Sequence, residues 1–308
     1  MRSWSFAEGH WTEGDLPNAE CNWFSIDRPA AEELESLQRR FGLHPLAVED
    51  CLSRQIHAPK IDEFSDHLFV VLVSPKPAAE NGTEEFDVFL GDRFLITYSD
   101  EPLAEVDRVR DALATGIQFR PGVDGILYEI VDRMVDGFLP AANSMSEELD
   151  DIEDEILRAA QARQSREIVE LRAKAGRLRR LLIPQLTVIQ RLSRGEFRYI
   201  HDANRIYYRD IYDHLVRIDL ALEGVREDAE MALSTYLSSL NNRMSEVMKV
   251  LSVVAALALP GTVISGIFGT NFDNVPGLHS NWGFAVMMTA IIGLAGGMAW
   301  YFKRRDWW

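Results

Sequence analysis

The chain has 308 residues, 47% of them hydrophobic, and sets 48 acidic against 32 basic side chains, for a formal net charge of -16. That balance argues against nucleic acid as a partner and in favour of cations. Two cysteines, Cys21 and Cys51, with no CxxC pair, exclude a disulfide framework and a cysteine-rich zinc site, and fit a reducing cytosol.

The N-terminal stretch MRSWSFAEGHWTEGD lacks the basic and apolar regions of a secretory signal, so membrane insertion is expected only near the C-terminus. "PAAEELESLQRRFGLHPLAVEDCL" reads as two short helices joined at Gly42. "HLFVVLVSP" and "FDVFLGDRFLITYSDEP" are β-branched and aromatic runs punctuated by Pro, Gly and "ENG", which predicts strands and a hairpin. Residues 1–125 are therefore expected to form a mixed α/β domain, 126–246 a helical bundle and stalk, and 247–308 a transmembrane hairpin. Within the bundle, the acidic run "SMSEELDDIEDEIL" and the basic run "RQSREIVELRAKAGRLRRLL" suggest two solvated helices with complementary charged faces. A cation-concentrating role for the acidic run is the alternative.

From Ile211 apolar residues recur at Leu215, Ile218, Leu222, Val225, Ala229, Ala232 and Tyr236, a near-heptad helical stripe. No proline falls between Pro184 and Pro260. One helix is expected from near Arg205 through Phe268, about 64 residues and ~95 Å at 1.5 Å per residue. Its last part, from Val250 to Gly269, is free of charge, as is the run from Gly283 to Phe302. Each has about the 20 residues that a bilayer core demands. Lys303, Arg304 and Arg305 follow the second run, Arg243 and Lys249 precede the first, and the loop 270–282 holds neither residue type. Both termini are then expected in the cytoplasm and the loop outside. Trp282, Trp300, Tyr301, Trp307 and Trp308 stand at the span ends, where amphipathic rings favour the interface.

A two-span protomer encloses no water path, so an ion pathway needs several copies around an axis. If the first span faces that axis, helical spacing puts Ser245, Met248, Ser252, Ala255, Leu259, Thr262 and Gly266 on the pore side, with Leu251 close by. Apolar rings at Met248, Leu251 and Leu259 could gate by dewetting, and Thr262 offers a ring of hydroxyls; the alternative is plain helix packing. In the loop, Asn271 is the strongest candidate. A ring of neutral amide oxygens accepts hydrogen bonds from the waters of Mg2+, an ion that dehydrates reluctantly. Gly269 is expected to supply the turn that aims it, Gly277 after Pro276 a further bend, and Asp273 an outer negative ring. Among the histidines no HxxxH pair occurs, and GxSxG, P-loop, GxGxxG and HExxH motifs are missing, so neither a zinc cage nor an enzyme is expected.

Four stretches, "FGLHPLAVEDCL", "VDGFLPAANSMSEELDDIEDEIL", "YYRDIYDHL" and "MSEVMKVLSVVAALALPGTVISGIFGTNF", resemble the CorA family of divalent-cation channels, the two-transmembrane GxN group. The resemblance runs in order over nearly the whole chain. It implies a funnel-shaped homopentamer in the inner membrane, with the long helix lining a central pore and no cofactor beyond the divalent cations themselves. It also implies cytoplasmic regulatory metal sites, with Asp210 in "YYRDIYDHL" at a metal-binding position and Glu80, Glu84 and Glu85 as candidate partners. The family's commonest filter is Gly-Met-Asn, whereas here Thr270 lies between Gly269 and Asn271. Gly277 stands where a glutamate is frequent, and "NVPG" is similar to the zinc-transporting ZntB branch. Mg2+ with Zn2+, Co2+ and Ni2+, a ZntB-type Zn2+ transporter, and a non-selective or stretch-responsive pore or membrane scaffold all stay open as readings.

Overall fold

The computed structural model describes the whole chain except residues 28–29, 54–55, 77–81, 271–274, 278–279, 306 and 308. Among the described residues, seven strands and eight helices follow one another. Three strands, β1 (Arg2–Ala7), β2 (His10–Glu13) and β3 (Cys21–Ile26), precede helices α1 (Ala31–Phe41) and α2 (Pro45–Leu52). Strands β4 (Lys60–Glu63), β5 (Leu68–Pro75), β6 (Thr83–Leu90) and β7 (Phe94–Tyr98) complete one sheet of order β2-β1-β3-β7-β6-β5-β4. Among the described residues only β3 and β7 pair in parallel.

Local chemistry explains the elements. Gly42 ends α1 in the left-handed conformation, φ 67°, and Pro45 opens α2 at a position where its missing N–H costs nothing. β5 reads Leu-Phe-Val-Val-Leu-Val without alternation because both faces of the sheet are covered, and every one of those side chains is buried. On one face Phe24, Ile26, Phe69, Val71, Phe89 and Ile96 pack with Leu34, Leu37 and Val48 of α1 and α2. Both cysteines are buried there or nearby. Burial, with the charge of Glu20, pushes the Cys21 thiol up to about 12; burial, with the charges of Asp87, Glu85 and Asp50, raises Cys51 well above the usual thiol range.

Four further helices follow: α3 (Ala104–Ala114), α4 (Val123–Asp136), α5 (Phe138–Arg158) and α6 (Ala162–Ser193). The chain then runs into α7 (Arg205–Phe268), 64 residues long, and after a loop into α8 (Gly283–Arg304). The chain divides into two compact units. The first comprises Met1–Asp154 and Gln161–Leu233, the second Glu155–Ala160 and Ser234–Trp308. The long helix matches its expected extent, and it supplies acidic partners to α6. Its guanidinium groups meet carboxylates of α7: Arg172 lies 2.8 Å from Glu230, and Arg179 bonds Asp219 at 2.6 Å and also Glu223. Stripe neighbours such as Leu222 and Val225 bury α7 beside α6, which brings those carboxylates within reach.

One buried charge fixes where α7 begins. Asp124, fully buried in the first turn of α4, accepts from the backbone N–H of His201 at 2.9 Å, the His201 imidazole at 2.8 Å and the Asn204 amide at 2.8 Å. Its own carbonyl takes the Tyr208 hydroxyl at 2.9 Å. Gly122, at φ 92°, leaves room, since a Cβ there would fall 2.6 Å from the Asp124 carboxylate. Asp124→Ala strips three donors of their shared acceptor, and a loss of about 3 kcal/mol or more of stability is expected. Urea denaturation of the detergent-solubilised chain, followed by tryptophan fluorescence, checks it; a change under about 0.5 kcal/mol would show that water replaces the carboxylate.

Candidate functional site

Two helices, α7 and α8, are long and apolar enough to cross a membrane. A helix satisfies its own backbone hydrogen bonds, the condition for lying in hydrocarbon. At the end of α8, the guanidinium of Arg304 lies 5.4 Å from the ring centre of Trp300, and that of Arg305 5.8 Å from Tyr301. Such cation–aromatic pairs suit a headgroup layer.

In the single chain all eight expected pore positions, Ser245, Met248, Leu251, Ser252, Ala255, Leu259, Thr262 and Gly266, are exposed. The side of α7 turned to α8 is a different one: a Cβ on Gly261 would meet Ile291 of α8 at 3.3 Å. The hydroxyls of the pore set turn back on the helix. Ser245 donates to the Asn241 carbonyl at 2.9 Å, Ser252 to Met248 at 2.7 Å and Thr262 to Ala258 at 3.0 Å. With its proton so occupied, each oxygen offers only lone pairs outward.

Beside this set runs a second one that the sequence reading did not single out. Leu237, Leu240, Met244, Val247, Leu251 and Val254 recur at three- and four-residue steps, and all stand exposed. This is a heptad seam left exposed among the described residues. Its period was readable; the buried stripe ending at Tyr236 drew attention away from it.

At the filter end, Gly269 and Thr270 cap α7. Gly269 donates to the Ser265 carbonyl at 2.9 Å, and the Thr270 hydroxyl to Ile267 at 2.8 Å. Gly269 continues the last helical turn and has no left-handed φ. Gly277 does adopt one, φ 90°. Asn271 and Asp273 lie outside the described residues. Asp210, largely exposed, has its carboxylate 3.8 Å from the imidazole of His214, which in turn is 3.7 Å from Asp136. Asp132 lies beside them on α4, where burial and the charges of Asp136 and Glu129 raise its carboxyl. The Asp210–His214 spacing of four was legible on a helix and was overlooked. Glu84 is engaged by Lys76 at 3.6 Å and Glu85 by His57 at 3.1 Å, while Glu80 lies outside the described residues.

Residues 18–304 match the model of the family described as CorA-like Mg2+ transporter protein. The chain belongs to the CorA family. It is 31% identical to the cobalt/magnesium transport protein CorA of Thermotoga maritima over 87% of this chain and 77% of that one. Zinc transport protein ZntB of Pectobacterium carotovorum is 27% identical over 96% of this chain and 90% of its own. The complete structure of the CorA magnesium transporter from Methanocaldococcus jannaschii superposes with a TM-score of 0.88 at 20% identity, covering 100% of this chain and 98% of that one. As a CorA-family member the protein is a divalent-cation transporter with two C-terminal membrane spans, not an enzyme. Its architecture, a mixed α/β N-terminal part, a long helix and two apolar helices, is that expected from the sequence.

A close approach shapes the loop between the spans: a Cβ on Gly283 would fall 2.1 Å from the Gly277 carbonyl oxygen. Gly283→Ala must push the two apart, and a loss of about 1–3 kcal/mol is expected, as for other overpacked sites. Gly293→Ala, where a Cβ meets nothing within 4 Å, serves as the control. Equal melting temperatures for both variants in detergent would show that the loop yields freely.

Proposed function

We propose that this CorA-family chain assembles as a homopentamer and conducts Mg2+, with Zn2+, Co2+ and Ni2+ as further cargo, through an axial pore lined by α7. Both termini lie in the cytoplasm. The observation that carries this reading is the pair of adjacent exposed stripes on α7. The apolar seam from Leu237 to Val254 lets each α7 grip its neighbour, and the stripe from Ser245 to Gly266, turned about one residue further round, then faces the axis. Met248, Leu251 and Leu259 close the pore by excluding water, while Thr262 presents oxygen to a passing hydrated ion.

At the outer end, Gly269, Thr270 and Asn271 form the filter. The amide oxygens of Asn271 accept hydrogen bonds from the ion's own waters, and Asp273 raises the local cation concentration. Asp210 is the regulatory cation position in this reading; among the described residues of one chain no three ligating side chains converge there, so its partners would come from a neighbouring copy. The zinc-type reading is favoured by Gly277 in "NVPG" and by the 27% identity to ZntB. Reconstitution into liposomes containing a Mg2+- or Zn2+-responsive dye, with and without a pH gradient, separates the two. No uptake of any divalent ion would overturn the pore assignment.

Asn271→Ala is expected to cut uptake at least about tenfold, the equivalent of one lost interaction of roughly 1.4 kcal/mol at the filter, with assembly intact. Dye uptake normalised to inserted protein measures it; unchanged rates for every ion would remove the filter assignment. Thr270→Met replaces a hydroxyl that caps α7 with apolar bulk behind Asn271, and the Mg2+-to-Zn2+ uptake ratio is expected to rise. Matched liposomes of the two proteins give the ratio directly, and an identical value would place ion choice elsewhere, at Asp273 or Gly277.

A further inference from the structure

On a chain of net charge -16, five guanidinium groups surround one cavity of about 520 Å3 between α6 and α7. Arg172, Arg177, Arg179 and Arg180 come from α6 and Arg226 from α7. Three of them share three carboxylates: Arg172 with Glu230, Arg179 with Asp219 and Glu223, and Arg226 with Glu223. Arg177 and Arg180, both exposed, have no counter-ion among the described residues. The cavity therefore holds an excess of two positive charges.

The floor of the cavity is Gly176. A Cβ built there lies 3.8 Å from Nη1 of Arg180 and 3.9 Å from Nε of Arg226, so guanidinium groups of two different helices stand less than about 8 Å apart across a residue with no side chain. A tetrahedral oxyanion reaching both at charge-assisted lengths of about 2.8 Å spans that gap. Arginine forks suit phosphate better than a point charge would. Val169 and Ile183, exposed at the rim, add apolar surface on which a flat ring can rest. The volume falls in the range of ligand pockets, roughly 300–1,000 Å3.

We propose that this hollow is an anion site that takes a polyphosphate, either free or as the phosphate chain of a nucleotide. One wall of the hollow is α7, so the bound anion, by drawing Arg226 toward α6, would bias the packing of the same helix that enters the membrane. The site stands independently of which ion is carried and of the pore assignment.

The test is isothermal titration of the full chain in detergent with tripolyphosphate, ATP and orthophosphate. Divalent cations are left out, because polyphosphates would strip them from the protein. Saturable binding of tripolyphosphate, one per chain, is expected. The double variant Arg177→Ala/Arg180→Ala should weaken it at least about tenfold, since charge-assisted hydrogen bonds are lost. Gly176→Leu should weaken it by a similar factor while leaving every charge in place, which separates a shaped site from mere basicity. Arg108→Ala, an exposed arginine on α3, should leave it unchanged. ATP binding more tightly than tripolyphosphate assigns the base to Val169 and Ile183, and equal affinity assigns the phosphate chain alone; either supports the site. Absence of saturable binding, as when carboxylates of another copy fill the hollow, overturns it, and so does binding that neither Arg177→Ala/Arg180→Ala nor Gly176→Leu weakens.

Discussion

The carboxylate of Asp124 settles where the longest helix of this protein begins. A buried charge is tolerable only when donors converge on it, and here a backbone N–H, an imidazole and an amide all come from the few residues preceding or opening α7. Removing any of them leaves a cost that the others cannot meet. The register of α7 in this unit follows from that anchor: with Asn204 and Tyr208 held, Ile211, Leu215 and Ile218 fall on the buried side.

In the pore proposed above, one rule of chemistry would select what passes. Ser252 and Thr262 donate their protons to carbonyls four residues back, so the stripe they belong to presents acceptors and apolar carbon but no donor. A hydrated cation arrives as a shell of donors. In that pore an anion would need donors and find none along this stripe, which would give charge discrimination without a fixed charge in the span. Carboxylates would hold a divalent ion longer. Their absence from Val250 to Phe268 suits passage rather than storage.

Much of this was legible in the sequence, for identifiable reasons. The extent of α7 could be read because its stripe is regular and proline-free, and α1 and α2 because Gly42 and Pro45 punctuate them. Strands β1 to β3 were not individually read, since "MRSWSFAEGHWTEGD" breaks its alternation at turns and β3 gains its stability from a parallel partner, β7, about 70 residues away. The role of Asp124 was illegible for the same reason: its partners lie 77 and 80 residues along the chain. The ion pairs between α6 and α7 depended on which buried stripes meet, and charge pattern alone does not specify that.

The burial of Cys21 and Cys51 has a practical side. The thiolate is the species that alkylates, and both thiols are held protonated well above neutral pH and away from solvent. The unmodified protein thus acts as its own cysteine-free background. A single cysteine introduced along the exposed stripes of α7 can be labelled or cross-linked selectively, with neither native residue replaced, so the exposure of each position becomes measurable in the intact membrane.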